Sequence, residues 1–561
     1  MRRRFQSIII LLGLVGLGAN AKAMSYGLHG YYRARSVANA DLDLQTPNSS
    51  IPNSNDRFGF IAYNQMRLRL EPTLKLNDFL AIHGLFDVLD NILFGTEETR
   101  ELGVNAPIIG TLTLPPGAGS FWMTGGNAGE NAAFNVRAVW TEILSPIGLF
   151  RIGRQPSHWG LGIFQNDGRA RQSDFGDMAD RVLYLAQIDL AGSSSVSAGL
   201  LWDIPFEAQF DPRAQGLDGQ IRSNAQDAHQ FGTFVLYDRE DWNVGLFGGY
   251  RRRDGPEGAT TTTVRDAAGN SVAAGSDGNT NLFFADLYGK YQLNQYRFQI
   301  EGVYVGGKVT TGVAADGIAF QGLGAGTGCG SGGIICMPAN QPIQVLMAAM
   351  EIDAEYDFGG EWNLKSGFAQ GDGNILSSKV TQLGFRPDYQ IALMMFNMPL
   401  GTSPTFYDGT SGARLAGGVP TTGNYINNAL YASTGYKHRF NFPEDFPGEW
   451  FKLGTQITTA WAHQKNINLD FAELTGTANL PEISESADSM WKRWYGVELD
   501  VSAEVKVLEH LYAALEGGFL LPGRAYDIDV NLVNPGSIVA QVPDDKAQYA
   551  WMIRLTTSIE F

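Results

Sequence analysis

From Tyr549 to Phe561 apolar and polar side chains alternate. Tyr549, Trp551, Ile553, Leu555, Thr557 and Ile559 share one face, and Met552, Arg554, Thr556, Ser558 and Glu560 the other, before the chain stops on an aromatic residue. A strand of this form suits lipid on one side and water on the other. Similar period-two segments of about ten residues recur along the chain, the length a tilted strand needs to cross a hydrocarbon layer. About eighteen can be placed. The first nine centre on residues 25–37, 58–74, 79–91, 132–144, 149–155, 180–189, 195–203, 227–238 and 242–252. The rest centre on 281–291, 296–307, 344–356, 362–373, 428–441, 450–464, 491–506, 511–521 and 548–561.

The connections alternate in length. Long, Asn/Gly/Asp-rich stretches such as residues 38–57, 92–131, 308–342 and 374–427 follow odd segments, and tight turns such as Lys75 to Asp78, Ser145 to Gly148 and Arg239 to Asp241 follow even ones. A soluble sandwich or propeller has no reason for this asymmetry, whereas a membrane barrel puts short turns in the periplasm and long loops outside the cell. An even count brings both ends to the short-turn side and closes the sheet without an edge. The expected fold is therefore all-β, a transmembrane antiparallel up-and-down β-barrel of about eighteen strands. Its first strand begins almost at the leader's cut, which leaves no room for an amino-terminal plug or an energised-uptake box.

Arg2, Arg3 and Arg4 precede an apolar run from Ile8 to Leu17, and Ala21-Lys22-Ala23 offers small residues for cleavage. This reads as an export signal, too short to span a bilayer, removed at residues 1–23 to leave 24–561 as a single barrel domain in a Gram-negative outer membrane. Its removal takes away four positive charges and no negative one, moving the net charge from −17 to −21. An acidic chain argues against a nucleic-acid partner and fits solvated outer loops. Cys329 and Cys336, the two cysteines, lie in Gly328-Cys-Gly-Ser-Gly-Gly-Ile-Ile-Cys336, which could close a small disulfide ring as a local clip.

Alternation also sorts residues by face. It turns Arg33, Arg35, Arg67 and Arg69 inward, with Arg554 beside them once the last strand meets the first, making a basic wall. Glu351, Asp353 and Glu355 face the lumen on the twelfth strand, and Arg297 and Glu301 on its neighbour. On the sixteenth strand Glu498, Asp500, Glu504 and Lys506 oppose Val497, Leu499, Val501 and Val505. These charges either set up a transverse field that selects hydrated solutes or simply satisfy one another, and the second reading has the greater weight. The list is nearly balanced in sign, so most of the net negative charge falls to the loops. Tyr26, Tyr32, Trp140 and Trp551 are expected as girdle aromatics. Eighteen strands leave an aqueous interior unless loops fold in. Residues 374–427 and 308–342 are the expected constriction. In the former, Tyr389-Gln-Ile-Ala-Leu-Met-Met-Phe-Asn-Met-Pro-Leu400 is too apolar to sit loose in water. Inward packing is the preferred reading over a lipopolysaccharide or partner contact or an additional strand.

No phosphate-cradling loop, metalloprotease pair of histidines or nucleophile elbow occurs. Asp277-Gly-Asn-Thr-Asn281 starts like a calcium loop, but Leu282 and Tyr288 break the EF-hand pattern, leaving at most loose calcium binding. The seven histidines are scattered, and His29 and His83 read as polar wall residues. No catalytic residue, metal or cofactor is expected.

Ile152-Gly-Arg-Gln155, the loop through Gly168-Arg169-Ala170-Arg171, and Gly367-Phe-Ala-Gln-Gly-Asp-Gly373 resemble strand ends of the alginate-export-type eighteen-stranded channel family. The resemblance implies a monomeric channel for a secreted polysaccharide, with arginines such as Arg151, Arg154, Arg169 and Arg171 near the constriction. The balanced lumen and acidic loops depart from that family and speak against a strongly anionic polymer. The expected function is passive passage of hydrophilic solutes or a secreted polysaccharide. The alternatives are a loop-capped, non-conducting barrel for adhesion or envelope assembly, and a diffusion porin with no export role. Expected partners are outer-membrane lipid and lipopolysaccharide, the barrel assembly machinery acting on the strand that ends in Phe561, and periplasmic polysaccharide-export components.

Overall fold

The computed structural model describes residues 24–42, 44, 60–93, 134–190, 192–206, 228–253, 262–265, 271–274, 280–310, 340–371, 379, 381–401, 405–408, 414–416, 422–443, 447–464, 493–526, 538–541 and 547–561. The signal segment 1–23, both cysteines and the core of the calcium-like stretch lie outside these residues, as do most of 92–131 and 308–342.

Each of the eighteen expected segments is a strand. In chain order they are β1 (Ser25–Ala40), β2 (Phe60–Asn77), β3 (Leu80–Leu93), β4 (Phe134–Ser145), β5 (Gly148–Pro156), β6 (Met178–Leu190), β7 (Ser194–Phe206), β8 (Ala228–Arg239) and β9 (Trp242–Arg253). There follow β10 (Thr280–Leu293), β11 (Tyr296–Thr310), β12 (Asn340–Glu355), β13 (Gly360–Ala369), β14 (Ala429–Asn441), β15 (Gly448–Ala462), β16 (Trp494–Val507), β17 (Leu511–Pro522) and β18 (Ala550–Glu560). Each pairs antiparallel with its neighbours in sequence, and β18 returns to β1 from Tyr31↔Glu560 to Ala40↔Trp551, which closes the sheet. Tight turns follow every even strand up to β16, and long connections follow the odd ones.

The outward face is apolar around the whole circumference. Leu200, Val235, Leu246, Leu287, Ile300, Leu346, Ile457, Val501, Leu515 and Leu555 all stand exposed at mid-strand. A contiguous belt of this kind suits hydrocarbon and would be insoluble in water. Tyr26, Tyr32 and Trp551 lie on this side, Trp551 against Phe60. Trp140 does not. Leu85 pairs with Ala138 and Phe86 with Val136, so Arg137 is an extra, bulged residue. The bulge reverses parity: Val136 and Val139 face out, Arg137 and Trp140 face in, and Trp140 stacks on His83 at 5.0 Å.

The interior is not an empty bore. Residues 157–177, between β5 and β6, and 381–401, between β13 and β14, fold into the lumen. They cover inward apolar side chains of β6 to β12, among them Leu183, Leu201, Phe247, Phe284, Val303 and Met347. The apolar run from Tyr389 to Leu400 is buried here, with Met394, Met395 and Leu400 fully enclosed, and it adds no strand to the barrel. Elsewhere in the long connections, Thr405–Asp408 pairs with both Arg414–Ala416 and Ile538–Gln541, and Thr262–Arg265 pairs with Ser271–Ala274.

Leu287, 56% exposed at the centre of β10, tests the assignment of faces. Leu287→Arg is expected to destabilise the barrel by about 2–4 kcal/mol in urea unfolding from lipid vesicles. A change below about 0.5 kcal/mol would place that face in water.

Candidate functional site in the lumen

Both inserted segments are irregular backbone carried into a buried space, so their N–H and C=O groups need partners. The wall supplies them. Glu498 accepts the Met394 and Met395 N–H groups at 2.6 Å each, and Asp500 accepts that of Leu393 at 3.2 Å. The Ile391 carbonyl takes hydroxyl donors from Ser433 at 3.1 Å and Thr458 at 2.9 Å, and an amide donor from Gln456. Across the barrel, Glu301 accepts the N–H groups of Leu161 and Gly162. These charged wall residues are thus sockets for a plug.

The first segment is footed by apolar contacts. Trp159 lies against Phe234 and Phe247, and Phe164 against Phe284 at 5.1 Å. It doubles back at Gly168, where φ is 65° and a Cβ would meet the Phe175 carbonyl oxygen at 2.2 Å. Its remaining length lies along a wall of arginines on β1, β2, β4 and β18.

Arg33, Arg67 and Arg69 are essentially without solvent contact, and Arg35, Arg137 and Arg554 are buried. Arg69 holds Asp87 through two bonds of 2.7 and 2.8 Å, Arg67 holds Asp90 at 2.6 Å, and Arg554 holds Glu516 at 2.8 and 3.1 Å. Arg137 lies 4.0 Å from both Asp87 and Asp90. Arg33 and Arg35 instead reach across to the inserted segment. Arg33 bonds Asp174 Oδ1 and Arg35 bonds Asp174 Oδ2, each at 2.6 Å. Arg33 and Arg67 also donate to the Ser173 carbonyl, and Arg69 to that of Gly168 at 2.8 Å.

Asp388 ties the two segments together by accepting the N–H groups of Asp174 at 3.0 Å and Phe175 at 3.2 Å. Arg386 pairs with Asp177. The two aspartates have opposite environments. Burial alone raises the Asp174 pKa, but Arg35, Arg33 and Arg67 outweigh it and hold the carboxyl well below the usual range. Asp388 is raised, first by burial and then by the nearby Asp174 charge. Its Oδ2 has no hydrogen-bond partner among the described residues, which leaves that atom free to carry a proton.

The other expected site residues divide by face. Arg151 points inward and pairs with Glu142 at 2.7 Å, Arg297 with Asp353 at 3.0 Å, and Glu351 with Lys365 at 3.0 Å. Glu504 pairs with Lys437 at 2.5 Å, Arg169 with Glu71 at 3.0 Å, and Glu355 is exposed at the short-turn end of β12. Arg171 pairs with Glu560 and lies 3.8 Å from the centre of the Tyr512 ring. Arg154 is not in the lumen. Residues three apart on a strand face opposite sides, so Arg154 shares the outward face of Ile152 and bonds Asp180 at 2.7 Å near the long-loop end. Asp87, Asp90, Arg137, Asp174 and Asp388 were not anticipated.

Beside the second segment lies a cavity of about 220 Å³. Its lining mixes Lys365, Lys437, Asp500, Glu516 and Arg554, charges of both signs, with apolar surface from Ile391 and Leu393.

No family model matches the chain, and no curated protein matches it. Solved structures of low identity do resemble it over nearly its whole length. OccK2 (OpdF) of Pseudomonas aeruginosa, crystallised with glucuronate, shares 9% identity over 96% of each chain with a TM-score of 0.41. A BenF-like porin from Pseudomonas fluorescens shares 10% over 96% of this chain and 98% of its own, at 0.42. The anion-selective porin of Comamonas acidovorans shares 10% over 96% of this chain and all of its own, at 0.34. The alginate-export-type resemblance therefore rests on its two short stretches and the eighteen-strand layout, and the functional reading rests on the chain's own residues.

Two measurements test the site. Asp87→Asn leaves the fully buried Arg69 without its counter-charge and is expected to cost about 3–5 kcal/mol in vesicle unfolding; a cost under 1 kcal/mol would show that the pair is wet. The pH dependence has an unusual sign. A raised carboxylate pKa means that the docked state binds a proton more readily, so Asp388 strengthens docking as pH falls through that raised value. Asp174, being lowered, is lost only in strong acid. Across a pH series, hydrogen exchange of residues 173–177, corrected for intrinsic rates, is expected to slow in the native protein as pH falls through the raised Asp388 value and to lose this dependence in Asp388→Asn. Faster exchange on acidification would contradict the assignment.

Proposed function

We propose that the chain is an outer-membrane channel that passes hydrophilic solutes passively through a lumen narrowed by its own inserted segments. The observation that carries this reading is the mixed-charge cavity beside residues 390–393, bounded by the wall of β13 to β18 and by the plug. An interior meant only to be filled has no use for uncovered polar surface between plug and wall, whereas a water path along a constriction requires it. The mechanism is steric and electrostatic: paired charges keep the path wet while the two segments set its width, with no catalytic step. A secreted polysaccharide remains within this reading as one class of cargo. The non-conducting alternative draws support from the apolar packing of residues 159–164 and 389–400 against β6 to β12, which blocks that side of the lumen.

Planar-bilayer recording separates the two. The native chain is expected to show discrete conductance steps, and shortening residues 384–399 to a glycine linker is expected to enlarge them severalfold. Silence from both proteins, each shown to be folded by heat-modifiable gel migration, would favour the sealed barrel. Loss of a surface polymer on deleting the gene would assign the cargo as polysaccharide, and unchanged secretion would remove it.

A further inference from the structure

We infer that Arg33, Arg35 and Arg67 form a receptor site for a carboxylate-bearing solute, and that Asp174 occupies it in the resting protein as a tethered, displaceable substitute. The inference rests on the channel reading and names the ligand class of its constriction.

The charge distribution on this wall points to an anion. The strands bring six arginines together here, Arg33, Arg35, Arg67, Arg69, Arg137 and Arg554, against the three wall carboxylates that pair with them, Asp87, Asp90 and Glu516. These acids serve Arg67, Arg69, Arg137 and Arg554. Among the described residues the carboxylate paired with Arg33 and Arg35 is Asp174, which belongs to the inserted segment rather than to the wall. Removing the segment would open two guanidinium groups to the lumen without an anion and beside further arginines, an arrangement suited to binding one.

The contacts on Asp174 are those of a bound ligand. Each oxygen meets its own guanidinium at 2.6 Å, Asn91 donates to Oδ1 at 3.2 Å, and Arg67 stands at 3.9 Å as a third positive charge. Charge-assisted bonds to both oxygens select a planar carboxylate. The arginines also hold the segment through neutral carbonyls, Arg33 to Arg171 and Ser173 and Arg67 to Ser173. Displacing Asp174 would therefore remove the charged part of this anchorage and leave weaker bonds. A tethered partner acts at an effective concentration on the order of millimolar, so a free carboxylate reaching that concentration competes, and a polycarboxylate that also meets Arg67 competes better. Solute entry and loosening of the constriction then become one event.

Citrate is a suitable probe with the full-length barrel folded in detergent. In calorimetric titrations Asp174→Asn is expected to bind citrate at least tenfold more tightly than the native protein, and Arg35→Gln added to that variant is expected to lose at least tenfold. Equal affinities in native protein and Asp174→Asn, or indifference to Arg35→Gln, would overturn the inference. A test without substitutions guards against misfolding. Citrate is expected to speed trypsin cleavage after Arg169 and Arg171 in the native barrel beyond a chloride control of equal ionic strength, and equal rates would count against displacement. Absence of conductance in every protein would defeat the channel reading and leave the binding result standing, so the two failures are distinguishable.

Discussion

Hydrocarbon offers no partner to a peptide group, and this constraint organises the molecule. Every strand must hydrogen-bond on both edges, so eighteen strands close on themselves through β1 and β18. Closure at that count sets a circumference whose interior is wider than opposed side chains can fill. The chain meets the resulting void with its own connections. Residues 157–177 and 381–401 enter it, and each brings peptide groups that must again find partners. Buried Glu301 and Glu498 and half-buried Asp500 meet that need by accepting backbone N–H groups. Carboxylates in a lumen would suggest selectivity for cations, but here much of their bonding capacity is spent on holding protein.

The lumen is consequently uneven. Inward side chains of β6 to β12 are mostly apolar where the segments press on them, with Glu301 among them as a socket, whereas β1 to β4 bring most of the buried arginines. Arginines gather around β1 and β2, where they meet Asp87 and Asp90 of β3 and Asp174, while Asp353, Glu351 and Glu504 meet Arg297, Lys365 and Lys437 elsewhere on the wall. On the basic side the partners come partly from the inserted segment, through Asp174, and partly from Asp87, Asp90 and Glu516 of the wall.

Strand positions, parity of connections and the outward belt were legible because period-two alternation reflects a solvent difference at each residue. The short segment at residues 149–155 could be placed for the same reason, since apolar Phe150 and Ile152 flank Arg151. Alternation failed where the backbone broke it. The bulge at Arg137 turned Trp140 inward, and the irregular stretch at Leu89 to Asn91, with positive φ at both ends, delivered Asp90 and Asn91 to the arginines. Neither irregularity has a signature beyond residue types that are also common in regular strands. The apolar run at residues 389–400 announced its burial by composition. A weaker version of that signal, Trp159-Gly-Leu-Gly-Ile-Phe164, marked the other insertion and was overlooked because glycines dilute it. Asp174 carried no local cue, since its importance arises from groups more than a hundred residues away.

The placement of residues 157–177 has a mechanical consequence. Arg171 grips Glu560 and Tyr512 on β18 and β17, while Asp174 is gripped by Arg33 and Arg35 on β1, so one short stretch staples the first strand to the last from within. That seam is the one place where the sheet is joined by ends distant in sequence. A barrel that had to unzip there, whether during membrane insertion or under lateral tension, would first have to release the staple. Docking of this stretch thus doubles as the lock on the cylinder.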